Sequence, residues 1–239
     1  MSLLKEIYRA EDQLESLKDI GLSVFLTALI VLAFGIFPFV DMSSLFGHLV
    51  SLGFTALFLA GSLIGELGRR WRLVVMLLAV SGAILGWLPT TADSTWWHLY
   101  LVMSIIFNMI VCVALLRQVF RPGEINWHRL RGATAVYVLI GFLFALVFGL
   151  LESLWQGSFD GLVHEPRQHL IRDTVYFSFV TLTTVGYGDI TPVSEAARSL
   201  AVVEALFGQI FLAILIGRLV SLSGTLRPPR EKTRSESRD

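Results

Sequence analysis

The stretch that decides the fold is "TLTTVGYGDI", residues 181–190, which lies between two long apolar runs. It places glycines, threonines and a carboxylate in a chain that is otherwise strongly apolar. Lipid offers no hydrogen bonds to backbone groups, so irregular backbone is tolerated at membrane depth only where protein buries it or where it lines a water-filled cavity. The stretch therefore predicts a pore or a binding site inside a membrane protein.

The composition supports the membrane class. Of the 239 residues, 54% are apolar and 16% are charged, with a mean hydropathy of +0.69, whereas soluble domains are about 45–50% apolar and about 25% charged. The formal net charge is zero, so no charge bias indicates a nucleic-acid partner. The single cysteine, Cys112, excludes a disulfide framework and a cysteine-based metal cage.

The fold class predicted is an all-α membrane protein with six transmembrane helices. A helix needs roughly 20 apolar residues to cross a hydrocarbon core of about 30 Å. Six segments fit approximately: 20–40, 46–66, 72–89, 97–117, 132–152 and 195–220. Most of the 19 Lys and Arg residues lie in the N-terminal segment, in alternate loops and at the C-terminal end. Because basic loops stay inside, both termini are predicted to be cytoplasmic.

The two ends of the chain differ from the spans. Apolar residues within 1–19 recur with a 4-3-4-3 spacing and have charged residues between them. This pattern predicts a cytoplasmic amphipathic helix on the inner leaflet, and a short coiled coil that joins subunits is the alternative. Residues 223–239 are polar and contain prolines, which predicts a disordered cytoplasmic tail.

A short apolar and aromatic segment, Thr174–Leu182, precedes the irregular stretch. Nine residues with a rise of 1.5 Å reach about 14 Å, roughly half a bilayer. Asp173 is a candidate N-cap for this segment. We therefore expect a re-entrant half-helix that enters from outside and stops midway, between the fifth and sixth spans.

The glycines explain how the irregular backbone can present its oxygens. Gly186 and Gly188 can adopt positive φ at low cost. Alternating handedness then points consecutive carbonyls in one direction, whereas a regular strand would alternate them. The carbonyls expected to do so belong to Thr184, Val185, Gly186 and Tyr187. Stacked carbonyl rings can replace the hydration shell of a monovalent cation, and the negative end of the half-helix dipole favours a cation below them.

These residues resemble a known family. "TTVGYGD" is similar to the potassium-channel signature. In that family the backbone carbonyl oxygens of the filter replace the hydration shell of K⁺. "YFSFVTLTTVGYGDITP" and "EAARSLAVVEALFGQIFLAILIGRLVS" resemble prokaryotic two-helix pore modules, over residues 132–222. The resemblance implies a passive K⁺-selective channel and not an enzyme, with K⁺ as the permeant ion and no cofactor. The chain has one such loop, so a closed ring needs four chains, and the family is four-fold symmetric.

The resemblance assigns roles to individual residues. It implies ion-binding filter residues, with K⁺ held at the first four, and residues that support the filter. Candidate gating positions come instead from two residues within the last span. The filter is Thr184, Val185, Gly186, Tyr187 and Gly188; the support is Thr183, Asp189 and Tyr176; the gating candidates are Gly208 and Glu204. In many family members a Trp or a carboxyl behind the filter pairs with the residue that corresponds to Asp189, and a Trp pair stands where this chain has Tyr176 and Phe177. The Tyr176 hydroxyl is therefore the expected partner of Asp189.

Several residues within the spans have alternative interpretations. Gly208 is a gating hinge or a small residue that permits close packing under the half-helix. Glu204 contacts the half-helix behind the filter or binds an ion in the cavity. For His48 and Asn108, interhelical hydrogen bonds are expected rather than ligand sites.

The domain boundaries follow from the spans and the filter. Residues 20–118 are predicted to form a four-helix transmembrane domain, 119–131 a cytoplasmic linker and 132–222 the pore domain. The fourth span has no Lys or Arg before Arg117, so no arginine ladder for voltage sensing is predicted.

The expected location is a prokaryotic inner (plasma) membrane. A K⁺-uptake transporter subunit and a weakly selective cation channel remain alternative functions, and an enzyme or receptor in the first four helices is a further one.

Overall fold

A computed structural model describes residues 21, 23–39, 45–64, 69–87, 95–120, 127–162 and 167–225. The predicted amphipathic helix at 1–19 lies outside the described residues, as do 121–126 of the linker and 226–239 of the tail.

The described part of the chain is almost entirely helical. Helix α1 (Ser23–Phe39) ends in a π-helical and then a 3-10 segment, where Pro38 removes a backbone donor. The other helices are α2 (Leu45–Ile64), α3 (Arg69–Trp87), α4 (Thr95–Val119), α5 (Trp127–Leu154), α6 (Arg167–Leu182) and α7 (Glu195–Thr225). Two short strands, β1 (Phe159–Asp160) and β2 (Thr191–Pro192), flank α6 and the irregular stretch after it.

Three helices are long and apolar enough to cross a membrane. Within the described residues these are α4 over Thr95–Val119, α5 over Leu130–Leu154 and α7 over Glu195–Arg218. They coincide with three of the predicted spans, and the protein is an integral membrane protein. Helices α1, α2 and α3 coincide with the other three predicted spans but do not meet the same criterion, so the count of six spans stays a prediction.

Helix α5 is the centre of the packing. It lies between α4 and α6, and it also contacts α7. Of its apolar spanning window, 56% is buried inside the chain, against 17% for α7. The largest hydrophobic cluster includes fully buried Val136 and Leu139 of α5 and residues from α1 to α4. Helix α7 therefore leaves most of its apolar surface uncovered by its own chain.

Helix α6 is longer than the sequence predicts. It begins at Arg167 and has 16 residues, so the predicted start at Thr174 is wrong and Asp173 lies inside the helix rather than at its N-cap. At a rise of 1.5 Å per residue the helix reaches about 24 Å. Leu170 is buried and Ile171 packs against the core clusters, so tertiary burial extends the helix by almost two turns beyond the apolar segment.

Candidate functional site

The C-terminal end of α6 is fully capped. A helix leaves its last four carbonyls without intrahelical partners, and here each finds one. Tyr137 of α5 donates its hydroxyl to Leu182 O at 3.1 Å, and the amides that follow α6 bond the other three. These bonds are Thr183 N to Phe179 O (3.1 Å), Thr184 N to Thr181 O (2.9 Å), and Val185 N and Gly186 N to Val180 O (2.9 and 3.4 Å). The irregular stretch thus starts from a rigidly defined helix end.

The backbone of the stretch alternates in handedness. Thr184, Gly186 and Gly188 have φ of +58°, +62° and +81°, whereas Val185 and Tyr187 are not among the positive-φ residues. The predicted positive φ at both glycines is present. Sequence reasoning missed Thr184, because positive φ is unusual for a β-branched residue and nothing in its side chain signals it. This conformation costs roughly 1–2 kcal/mol.

The amide bonds also fix where the carbonyls point. A trans peptide holds its C=O and N–H on opposite sides of the chain. Val185 N–H and Gly186 N–H both donate to Val180 O. The carbonyls of the same two peptide units, Thr184 O and Val185 O, therefore both point away from α6. Two consecutive oxygens on one side are what a carbonyl ring requires.

Aromatic side chains connect α6 to the outer end of the stretch. The rings of Tyr176 and Tyr187 are parallel, with centroids 6.4 Å apart. The Tyr176 hydroxyl donates to Asp189 Oδ2 at 2.8 Å, so the structure brings together the two residues expected to pair. This hydrogen bond lowers the pKa of the Asp189 carboxyl, because it stabilises the charged form.

Removing this hydroxyl is expected to change the acid sensitivity of the site. In Tyr176→Phe, Asp189 loses the donor, its pKa rises towards the ordinary value, and its charge is lost at a higher pH. Any acid inhibition of ion flux should therefore begin at a higher pH than in the wild type. Flux into vesicles measured across acidic pH checks this. Asp189→Asn is the control, since Tyr176→Phe should cause no further pH shift in that background; superimposable wild-type and Tyr176→Phe profiles would contradict the assigned contact.

A second support on the outer side was not foreseen. Glu152, near the end of α5, is buried and accepts Gly157 N–H at Oε1 (2.7 Å) and Phe159 N–H at Oε2 (3.0 Å). These bonds hold the turn that leads into β1, which pairs antiparallel with β2 just after the stretch. A carboxylate at the end of a long apolar run is the signal in the sequence that could have indicated this support.

Gly161 shows how closely this outer turn approaches the stretch. Its φ is +85°, and a Cβ added there would lie 2.2 Å from Asp189 O. Ser158 O accepts amides from Val193 and Ser194 on the far side of the stretch, at 2.8 and 3.2 Å. The stretch is therefore held at its C-terminal end by the turn and at its N-terminal end by α6.

Gly208 of α7 lies directly against the C-terminal end of α6. A Cβ added at Gly208 would lie 2.2 Å from Leu182 O. Of the two interpretations of Gly208, this geometry favours close packing under the half-helix. The next residue, Gln209, places its side-chain nitrogen 3.4 Å from Thr184 Oγ1, at the inner end of the stretch.

Glu204, one turn earlier on α7, is completely buried. Its Oε1 lies 2.5 Å from Ser178 Oγ of α6. Glu204 thus contacts α6, the helix that the first of its two interpretations names as its partner. Ser178 was not singled out from the sequence, because a serine in an apolar helix carries no functional signal of its own.

Two polar residues of the first four helices, Asn108 and His48, were singled out from the sequence. Asn108 of α4 is 1% exposed, and neither its side-chain nitrogen nor its oxygen has a hydrogen-bond partner in the described part of the chain. The interhelical hydrogen bond expected for Asn108 is therefore not found among the described residues. The side chain of His48 lies outside the described residues.

Arg218 connects the C-terminal part of α7 to the end of α4. Arg218 donates to Val119 O at 3.2 Å, and its guanidinium lies 5.1 Å from the ring centroid of Phe120. A cation at a helix C-terminus is favoured by the helix dipole. The four-helix segment is thus attached to the part of α7 farthest from the irregular stretch.

Comparison with known proteins agrees with this geometry. Residues 143–223 match a family model described as ion channel. These residues are thus similar to an ion channel family over about a third of the chain. The match begins within α5 and includes α6, the irregular stretch and nearly all of α7.

Several of the curated relatives are named as potassium channels. The chain is 38% identical over 87 residues to two-pore potassium channel 4 of Arabidopsis thaliana, covering 36% of this chain and 29% of that protein. It is 27% identical over 172 residues to the voltage-gated potassium channel Kch of Escherichia coli (strain K12), covering 71% of this chain and 36% of the relative. Protein LctB of Geobacillus stearothermophilus is 44% identical over 86 residues, 35% of this chain and 62% of that protein. The chain thus spans less than two thirds of each of these relatives.

Proposed function

We propose that the protein is a potassium-selective channel that conducts K⁺ passively through the backbone oxygens of the filter, residues Thr184–Gly188. The observation that carries the proposal is the alternation of φ along the filter, combined with two consecutive amides that bond Val180 O. Neutral carbonyl oxygens suit a monovalent cation, because they replace its hydration shell without the charge that would trap it. The ion channel domain and the potassium-channel relatives indicate a channel rather than an enzyme.

A homotetramer completes the pore in this proposal. One chain supplies one wall, and the surfaces that would face a neighbour are uncovered. Val185 and Tyr187 are 53% and 72% exposed in the single chain, and most of the apolar surface of α7 is open. Neighbouring subunits would cover these side chains and hold the diameter of the ring.

The membrane arrangement is part of the same proposal. We place α6 as a re-entrant pore helix that enters from outside and ends beneath the filter, in a chain of six spans with cytoplasmic termini in a prokaryotic inner membrane. Residues 20–118 act as a four-helix domain joined by a linker, 119–131, to the pore domain, 132–222. Basic residues near the inner ends of α4 and α7, such as Arg117 and Arg218, support this orientation.

Ion flux into vesicles tests the function. The purified full chain is reconstituted, and uptake of K⁺, Rb⁺ and Na⁺ is compared. K⁺ and Rb⁺ should enter and Na⁺ should be largely excluded. Equal K⁺ and Na⁺ flux would leave the weakly selective cation channel as the better interpretation. Uptake against the K⁺ gradient would favour the transporter subunit.

Voltage dependence is expected to be weak. Moving a charge through the membrane field contributes about 2.3 kcal/mol per 100 mV, and α4 has no Lys or Arg between Thr95 and Leu116. The conductance–voltage curve in planar bilayers should therefore be shallow, although one relative is named a voltage-gated channel. A steep curve that requires several gating charges per subunit would contradict this expectation and assign a sensor role to the first four helices.

A further inference from the structure

Three helices meet at the hydroxyl of Ser178. Ser178 lies on α6 and is completely buried. Its Oγ is 2.7 Å from Gly141 O of α5 and 2.5 Å from Glu204 Oε1 of α7. A serine hydroxyl has only one hydrogen, so it can donate to only one of these two oxygens.

Counting hydrogens identifies the second donor. Gly141 O is a backbone carbonyl and can only accept, and an ionised carboxylate can also only accept. With an ionised Glu204, one of the two short contacts would join two oxygens with no hydrogen between them. With a neutral Glu204, its O–H donates to Ser178 Oγ, and Ser178 donates to Gly141 O. Both contacts are then hydrogen bonds.

The surroundings of Glu204 favour the neutral form independently. The residue is completely buried, and its Oε2 has no hydrogen-bond partner among the described residues. No basic side chain in the described ranges forms an ion pair with it. The titratable group that faces it is Tyr137 of α5, whose hydroxyl is committed to Leu182 O. A buried charge without a counter-ion is costly, and a neutral acid avoids that cost.

Close approach of α5 and α6 makes the contact possible. A Cβ at Gly141 would lie 2.7 Å from the Phe179 ring, so the lack of a side chain at Gly141 lets α5 and α6 approach closely where Ser178 meets the α5 backbone. Ser178 is little more than one turn before Leu182, where α6 ends and the filter begins.

We propose that Glu204 is a positioning residue that is neutral and donates a hydrogen bond to Ser178, which donates in turn to Gly141 O. This chain of two hydrogen bonds fixes the pore helix against both α5 and α7 and so holds the filter in place. The effect on conduction rests on the proposed function, whereas the protonation of Glu204 does not.

Infrared spectroscopy tests the protonation of the full chain reconstituted in lipid. The carbonyl stretch of a neutral carboxylic acid is separate from carboxylate bands. The wild-type minus Glu204→Gln difference spectrum should contain this acid band.

In Ser178→Ala the same band should move to higher wavenumber, because the O–H of Glu204 loses its acceptor. This second variant decides the matter if Glu204→Gln fails to fold. Glu195→Gln, the same change at an exposed site on α7, should leave the band unchanged. Loss of carboxylate bands instead of the acid band would overturn the proposal.

Flux measurements test the positioning role. Glu204→Gln keeps an N–H donor for Ser178 and should retain K⁺ preference over Na⁺. Glu204→Ala removes the donor and should lower the K⁺/Na⁺ flux ratio several-fold. An unchanged ratio in Glu204→Ala would overturn the positioning role. A wild-type protein that shows the acid band but no K⁺ preference would contradict the proposed function alone, while K⁺ preference without the acid band would contradict this inference alone.

Discussion

Gly186→Ala is expected to abolish the preference for K⁺ over Na⁺, so that the K⁺/Na⁺ flux ratio falls close to unity. Gly186 has φ of +62°, and no atom lies within 4 Å of the position that a Cβ would take, so the effect is one of backbone conformation rather than of a clash. An L-residue there costs roughly 1–2 kcal/mol. The peptide can relieve this cost by rotating, which would turn a carbonyl out of the proposed ring.

The matched control for this variant is Gly157→Ala. Gly157 has φ of +82° and equally open space around it, but it lies in the turn after α5 and not in the filter. It should carry a similar backbone cost but, because it turns no peptide of the filter itself, should lower the flux ratio far less than Gly186→Ala. A comparable loss of selectivity in both variants would show that general destabilisation, rather than the filter geometry, is responsible. Full K⁺ preference in Gly186→Ala would contradict the carbonyl filter itself.

Gly208→Ala is expected to lower both stability and K⁺ flux substantially. The added Cβ would lie 2.2 Å from Leu182 O and 3.1 Å from Leu182 Cδ1, so α7 must move away from the end of α6. Overpacking of this kind costs typically about 1–3 kcal/mol. The same movement would disturb the carbonyl that Tyr137 caps. Thermal unfolding in detergent and vesicle flux, measured on the same preparation, report the two effects.

Gly217→Ala provides the comparison within the same helix. No atom lies within 4 Å of the Cβ position at Gly217, and alanine is the better helix former by about 1 kcal/mol. This variant should therefore be at least as stable as the wild type. If Gly208→Ala has normal stability but altered open probability in single-channel records, the hinge interpretation of Gly208 is correct and the close-packing interpretation is not.

The contacts at the site differ in how far they could be predicted. The positive φ of Gly186 and Gly188 was predictable because glycine alone adopts it cheaply. The same φ at Thr184 was not, because it results from the bonds that its neighbours make to the end of α6. The pairing of Tyr176 with Asp189 was reached only through the resemblance to a family, which identified Asp189 as a residue that needs a partner.

Other features depend on residues far apart in the chain. Glu152 and Gly161 support the outer end of the filter through a turn that the sequence does not reveal. The start of α6 at Arg167 depends on the burial of Leu170, and the lack of a hydrogen bond at Asn108 depends on which face of α4 is packed. Local pattern contains none of this information, because burial is a property of the neighbours and not of the residue.

The sequence by itself determined the membrane class, the position of the irregular stretch and the residues whose carbonyls are proposed to face the ion. These depend on backbone chemistry, which glycine, proline and apolar length express locally. Only the tertiary structure decided that Ser178 lies between Gly141 and Glu204, and that Gly208 lies beneath Leu182. Such contacts arise when three helices pack together, and the need for a second hydrogen among these three oxygens follows only once their distances are known.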